Sequence, residues 1–77
     1  MTDEVDHLID ARGRRCPIPT LLLRRAIERA HPGERLRLIA DDPIARIDVP
    51  HFAAEIGLEI VSVTAGEKDI EFILRLP

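Results

Sequence analysis

The order of apolar and polar positions along the chain predicts six elements. His7-Leu8-Ile9-Asp10-Ala11 is a short apolar run closed by Arg12-Gly13, as expected of a brief strand followed by a loop. From Pro17 onward the apolar residues Pro19, Leu22, Leu23, Ala26, Ile27 and Ala30 return at intervals of three and four, while Thr20, Arg24, Arg25, Glu28 and Arg29 take the other face. That period is an amphipathic helix. His31-Pro32-Gly33 ends it, because proline cannot continue a helix and glycine turns the chain freely. Glu34 to Ala40 then alternates, with Leu36 and Leu38 on one face and Arg35, Arg37 and Ile39 on the other, which reads as a second strand.

Asp41-Asp42-Pro43 stops that strand, and Asp42 followed by Pro43 suits an N-cap and first helical position. Asp41 and Asp42 are therefore read as caps in preference to catalytic acids. Pro50 lies too far inside for an unbroken helix, so the expectation is one turn over Ile44 to Ile47 and a second helix from about Val49 to Ile56, with Asp48 as its cap and Gly57 as its stop. Leu58 to Thr64 and Ile70 to Leu76 are rich in β-branched and aliphatic residues, and Ala65-Gly66-Glu67-Lys68-Asp69 is a short connection between them, which predicts a β-hairpin. In the order β-α-β-α-β-β the first two strands run parallel through a right-handed crossover and the last two antiparallel. The fold class expected is α+β, a two-layer α/β sandwich with two helices on one face of a four-stranded mixed sheet. It is read as a single domain over residues 1–77, with its core between about 8 and 76.

Composition narrows the function classes. The chain has 77 residues, 45% of them hydrophobic but only 3% aromatic, so the core must be built from aliphatic side chains. No apolar run approaches the length of a membrane span, and Thr2-Asp3-Glu4 is unlike a basic signal peptide, so the protein is expected to be soluble and cytoplasmic. A single cysteine forms no internal disulfide, no Cys/His cluster has zinc spacing, and neither metal nor cofactor is expected. The net charge of −3 conceals an asymmetry: between Arg12 and Arg37 eight arginines face only Glu28 and Glu34, while both flanking stretches are acidic. A basic segment in an acidic protein suits an anionic or acidic-protein contact better than direct nucleic-acid binding.

The only thiol lies in that basic segment, in Arg12-Gly13-Arg14-Arg15-Cys16-Pro17-Ile18-Pro19. A cysteine reacts as thiolate, which is favoured at a helix N-terminus and beside cations. Pro17 suits the first helical position, which sets Cys16 next to the N-cap, with Arg14 and Arg15 as its cationic neighbours. Pro17 and Pro19 remove two amide donors and stiffen the turn, and Pro19 biases Ile18 away from helical geometry, keeping the sulfur at the surface. A free cysteine is also among the most often buried residue types, but loop arginines and flanking prolines oppose that setting. Arg24, Arg25 and Arg29 continue along the exposed helix face and suit a docking surface. His7, His31 and His51 are scattered and have no spacing from Cys16 that suggests a catalytic dyad.

Arg15-Cys16-Pro17-Ile18-Pro19 at a helix start, then Pro32-Gly33-Glu34, Asp41-Asp42-Pro43 and Asp48-Val49-Pro50, resembles the TusA/SirA-type sulfur-carrier family with its Cys-Pro-x-Pro motif. The match runs from about Leu8 to Leu76. The resemblance implies the same two-layer sandwich and a sulfurtransferase activity in which Cys16 accepts sulfane sulfur as a persulfide. Its implied partners are a sulfur donor protein of the cysteine desulfurase or rhodanese type and an acceptor protein, in tRNA thiolation, sulfur oxidation or cofactor sulfuration. Contact with a membrane is not implied, and nucleic acid enters only indirectly. With no second cysteine the chain cannot discharge sulfur by an internal disulfide, which fits a shuttle. Two competing classes remain: a non-catalytic protein- or RNA-binding module using the arginine-rich helix face around a structural cysteine, and a thiol redox sensor. The lack of exposed aromatic residues for base stacking opposes RNA.

Overall fold

Why the chain folds as it does is clearest at β2 (Arg35–Ala40), where strict alternation buries Leu36, Leu38 and Ala40 and leaves Arg37 in solvent. The computed structural model describes residues 5–15 and 18–77. Around β2 the elements follow in the order β1 (His7–Ala11), α1 (Ile18–Arg29), β2, α2 (Ala45–Ile56), β3 (Glu59–Ala65) and β4 (Ile70–Arg75). The expected mixed sheet forms, in the spatial order β1-β2-β4-β3. β1 pairs with β2 in parallel, and β4 pairs antiparallel with both β2 and β3.

Register decides which face each strand buries. Leu36 opposes Leu74, Leu38 opposes Phe72 and Ala40 opposes Ile70, so the inward side chains of the two central strands share one face. That face meets Leu23 of α1 and Ala45, Val49, Phe52 and Ala53 of α2 in one apolar cluster. The helix face predicted by periodicity is the one that packs: Pro19 and Leu23 are buried, and Leu22, Ala26, Ile27 and Ala30 lie half-buried against the core. In β3 the alternation breaks at Ile60-Val61, and the pairing absorbs the extra residue as a bulge between Ile60 and Ser62, which returns Val63 to the position opposite Phe72.

The connection after α1 is a turn whose residues each have a physical task. Glu34 N–H donates to the His31 carbonyl (3.0 Å), Pro32 takes the second position, and Gly33 takes the third with φ of 85°, as a type II turn requires. The Glu34 carboxylate then accepts from the His31 amide (2.7 Å) and faces His7 Nε2 at 3.0 Å. These bonds, the His31 amide first, hold the Glu34 carboxyl below its ordinary pKa of 4.5.

Two sequence expectations are corrected at α2. The helix is not broken at Pro50: it runs unbroken from Ala45 to Ile56 with Pro50 inside it, and Asp48 lies in its first turn instead of capping a second helix. The entry explains this. Ala45, Arg46 and Ile47 donate to the carbonyls three residues back, at Asp42, Pro43 and Ile44, and Asp48 donates to Ile44, so a tight turn feeds directly into the α-helix. Burial of Val49, Phe52 and Ala53 then offsets a proline that costs about 3 kcal/mol in a helix interior. Ile18 is likewise helical despite preceding Pro19. Gly57 stops α2 as expected, at φ of 74°, with its own amide and that of Leu58 (2.8 Å) both donating to the Ala53 carbonyl. Among the described residues no helix is long and apolar enough to cross a membrane.

Truncating fully buried Leu38 to Ala is expected to lower stability by about 2–5 kcal/mol. Gly57→Ala, where an added Cβ meets no atom within 4 Å and the backbone conformation is the only penalty, is expected to cost about 1 kcal/mol. Urea unfolding at unchanged m-value measures both, and a loss at Gly57→Ala as large as that at Leu38→Ala would contradict a purely backbone origin.

Candidate functional site

The register that builds the core also aligns one end of all four strands. Ala11 pairs with Ala40, Ala40 with Ile70 and Ile70 with Ala65, so the carboxyl ends of β1, β2 and β3 and the start of β4 form a single row. Three connections leave from that row: the loop from Arg12 to Arg15, the Asp41-Asp42-Pro43-Ile44 link into α2, and the Gly66-Glu67-Lys68-Asp69 turn. In open sheets with parallel strands the carboxyl ends are where ligand chemistry gathers, because the loops there are free of the packing that fixes the core.

The β1–α1 loop is pinned at several points. Arg12 grips Asp10 through its amide (3.1 Å), its Nε (2.9 Å) and its Nη2 (2.9 Å). The Arg12 guanidinium, followed by its amide, lowers the Asp10 pKa from 3.8 to about 2, and Asp10 in turn raises that of Arg12. Gly13 adopts φ of 80°, and Arg14 N–H donates to the Ala11 carbonyl (3.1 Å), closing a turn that a side chain at Gly13 would strain. Gly13 N–H donates to both carboxylate oxygens of Asp41 at 2.9 Å, tying this loop to the end of β2. Ile18 N–H donates to the Arg15 carbonyl (2.9 Å), so Arg15 directly abuts the start of α1.

These bonds separate two carboxylates that the sequence treats alike. Asp42 is not the N-cap expected of it, because α2 begins at Ala45 with Ile44 as its N-cap and Pro43 in the turn before it; buried Asp42 Oδ1 accepts instead from Ile44 N–H (3.1 Å) in an Asx turn ahead of the helix. Asp41 is not a cap: it clamps the β1–α1 loop. Residues 13–15, residues 41–43 and Lys68 line a cleft of about 440 Å³. Arg14 and Arg15, read from sequence as loop cations ahead of α1, line this cleft, which the sequence does not suggest. Lys68, read from sequence only as part of a hairpin turn, joins them from the far side of the sheet.

Cys16 and Pro17 lie outside the described residues; in the chain they fall between Arg15 and Ile18. Pro19 is buried in the first turn of α1, so it anchors the helix to the core. Arg24, Arg25 and Arg29 are exposed along α1 but do not line the cleft. The Arg24 guanidinium lies 5.3 Å from the centre of the Phe52 ring and joins α1 to α2. None of the histidines lines the cleft: His7 faces Glu34 at the opposite end of the sheet, and His51 faces Glu55 one turn along α2. Exposed Ile18 and Leu21 at the start of α1, with Ile44 and Ile47 at the start of α2, add apolar surface at the same end of the molecule.

This architecture defines a two-layer α+β sandwich of the SirA-like type. It matches the crystal structure of the SirA-like protein from Desulfitobacterium hafniense with a TM-score of 0.77, at 25% sequence identity, over 90% of this chain and 95% of that one. The family model described as sulfurtransferase TusA matches residues 7–76, and the chain belongs to that family of sulfur carriers, whose members work in relays with donor and acceptor proteins.

Two outcomes are expected of the loop's pins. Asp41→Ala should raise hydrogen exchange at the Gly13 amide by about tenfold while leaving the Leu38 amide unchanged. Because the folded-state pKa of Asp10 is depressed, its contribution to stability is complete above the ordinary carboxylate range and is lost as pH falls from about 4 towards 2. The urea midpoint of Asp10→Asn should therefore fall less steeply than that of wild type over that interval, with Glu34 contributing the same sign to both. Parallel slopes would show that the Arg12 contact adds nothing.

Proposed function

We propose that the protein is a persulfide sulfurtransferase: Cys16 takes sulfane sulfur from a donor protein and relays it to an acceptor protein. Membership of the sulfur-carrier family is the observation that carries this reading. In the loading step the Cys16 thiolate attacks the outer sulfur of the donor's persulfide. A new S–S bond forms on Cys16, the donor's S–S bond breaks, and the donor sulfur leaves with the electron pair as thiolate. One anion replaces another, so the step needs no net oxidant and no net proton.

The surroundings suit that chemistry. Arg14 and Arg15 immediately precede Cys16 and line the cleft, where they stabilise the attacking thiolate and the persulfide product. Pro19, fixed by burial, stiffens the first turn of the helix. The aliphatic surface of Ile18, Leu21, Ile44 and Ile47 gives a partner protein something to bury at the helix-start end of the molecule, and Arg24, Arg25 and Arg29 extend that docking face along α1. Donor proteins of the cysteine desulfurase or rhodanese type, and an acceptor that receives sulfur by the same exchange, are the partners this reading requires.

Intact-protein mass spectrometry tests it. The reduced protein is incubated with a cysteine desulfurase plus cysteine, and separately with a rhodanese plus thiosulfate, beside Cys16→Ser. Gain of one sulfur atom, removed by dithiothreitol and absent from Cys16→Ser, is the expected result. No gain from either donor, together with a thiol that resists alkylation in the folded protein, would identify Cys16 as structural and overturn the proposal.

A further inference from the structure

We propose that the free edge of β3 is a self-association surface, along which a second copy of this chain lays its own β3 antiparallel and extends the four-stranded sheet to eight strands. The observation behind it is a mismatch in width between the two layers. On β2 and β4 the side chains that point towards the helices are buried, Leu36, Leu38 and Ala40 on one strand and Ile70, Phe72 and Leu74 on the other. Val63 of β3 stands opposite Phe72 and Ala65 opposite Ile70, so both share that face. Val63 is nonetheless 49% exposed, and Ala65 is exposed as well. The helix layer therefore stops short of the fourth strand, and of β3 it is Ile60, near its start, that packs against the core. β3 is also the last strand of the sheet, so among the described residues no strand satisfies the backbone groups along its outer side.

The composition of this edge suits its own copy. From Ile60 to Gly66 there is no charged residue and no proline, the usual guards of an exposed edge, and Glu59 before them is paired with Arg75 (2.5 Å). A strongly acidic or basic segment of another protein finds no counter-charge there. A second β3 finds a match. The bulge between Ile60 and Ser62 disturbs the first half of the strand, but beyond it the side chains alternate regularly. A two-fold axis at Val63 keeps the faces matched: Val63 meets Val63 of the second copy on the helix side, and Ser62 meets Thr64 on the open side, where the two hydroxyls pair. The paired stretch from Val61 to Ala65 is about 17 Å long, and the area it buries falls below the roughly 1,200 Å² of a standard interface, so the dimer is weak, with a Kd of about 0.1 mM. The axis stands perpendicular to the sheet. Both helix layers then lie on one face and the two strand-end clefts point in opposite directions, so each protomer keeps its helix starts open to other proteins. None of this depends on what Cys16 does.

Sedimentation velocity of the reduced protein tests the association. The mean mass is expected to stay near one protomer at about 10 µM and to approach two at about 1 mM. Val63→Lys sets two like charges against each other at the axis and should weaken the dimer at least about tenfold, with the urea midpoint showing that the variant is folded. Leu8→Lys on the opposite edge strand and Ile47→Lys on the helix layer, both at exposed apolar positions, should associate as wild type does. A second measurement does not depend on the lysine variant. In a Cys16→Ser background, Val63→Cys places the new thiol on the axis, where opposed Cα atoms lie about 4.5–5.5 Å apart, within disulfide range. Oxidation should therefore convert it to a covalent dimer at least about tenfold faster than Leu8→Cys in the same background. A wild type that is monomeric at the higher concentration overturns the inference and leaves the edge to a strand of some other protein. A dimer that Val63→Lys leaves intact, one that Leu8→Lys or Ile47→Lys abolishes, or equal cross-linking of the two cysteine variants overturns it as well.

Discussion

The parallel pairing of β1 with β2 is the constraint from which the working end of this protein follows. Parallel neighbours cannot be joined by a turn, so a crossover must run the length of the sheet, and α1 supplies it. Both helices then begin at the carboxyl end of the strand before them, and their first turns emerge together with the loops that precede them. The cation-rich loop before α1 and the acidic link before α2 come within reach of one another for this reason, and the Asp41 carboxylate converts that proximity into a direct bond to the backbone of Gly13. A β-meander of the same composition would send alternate loops to opposite ends.

The second constraint is size. A chain of 77 residues has a core of one layer of small and medium side chains, in which Leu36, Leu38, Phe72 and Leu74 meet Leu23, Val49 and Phe52. There is little interior to spare for an enclosed pocket, and the clefts at the strand ends are open and shallow. A chemistry in which the reactive atom travels to its partner, with the cavity provided by that partner, suits such a body better than one requiring a small molecule to be surrounded. In keeping with that economy, the carboxylates of Asp10, Asp41, Asp42 and Glu34 each accept from a backbone amide and fix loop geometry.

Much of this was legible in the sequence where a local rule governs. The limits of β1, the packed face of α1, the Pro32-Gly33 turn and the Gly57 stop all follow from periodicity or from backbone preferences that one or two residues dictate. Pro50 misleads because the cost of a proline in a helix is local, whereas its compensation is not: the entering turn over Asp42 to Asp48 and the burial of Val49, Phe52 and Ala53 are tertiary facts. Asp41 and Asp42 are neighbours of identical chemistry, and only the position of Gly13 assigns them different tasks. Lys68 was the least legible, because its relation to the arginine loop depends on β4 lying between β2 and β3, and a hairpin sequence does not state which of its strands faces the rest of the sheet.

The β3–β4 turn differs from the other two elements at this end in one respect. The loop before α1 and the link before α2 are each bound to a helix start, so a change in either is also a change in how a helix packs. Glu67 and Lys68 are exposed on a two-residue tip, closed by the Gly66 to Asp69 bond and followed by buried Ile70. Their side chains are decoupled from stability in a way that those of Arg15 or Asp42 are not. The tip is therefore the place where this scaffold can be retuned cheaply: exchanging two surface residues there alters the electrostatic character of the cleft while every layer of the fold beneath it stays as it was.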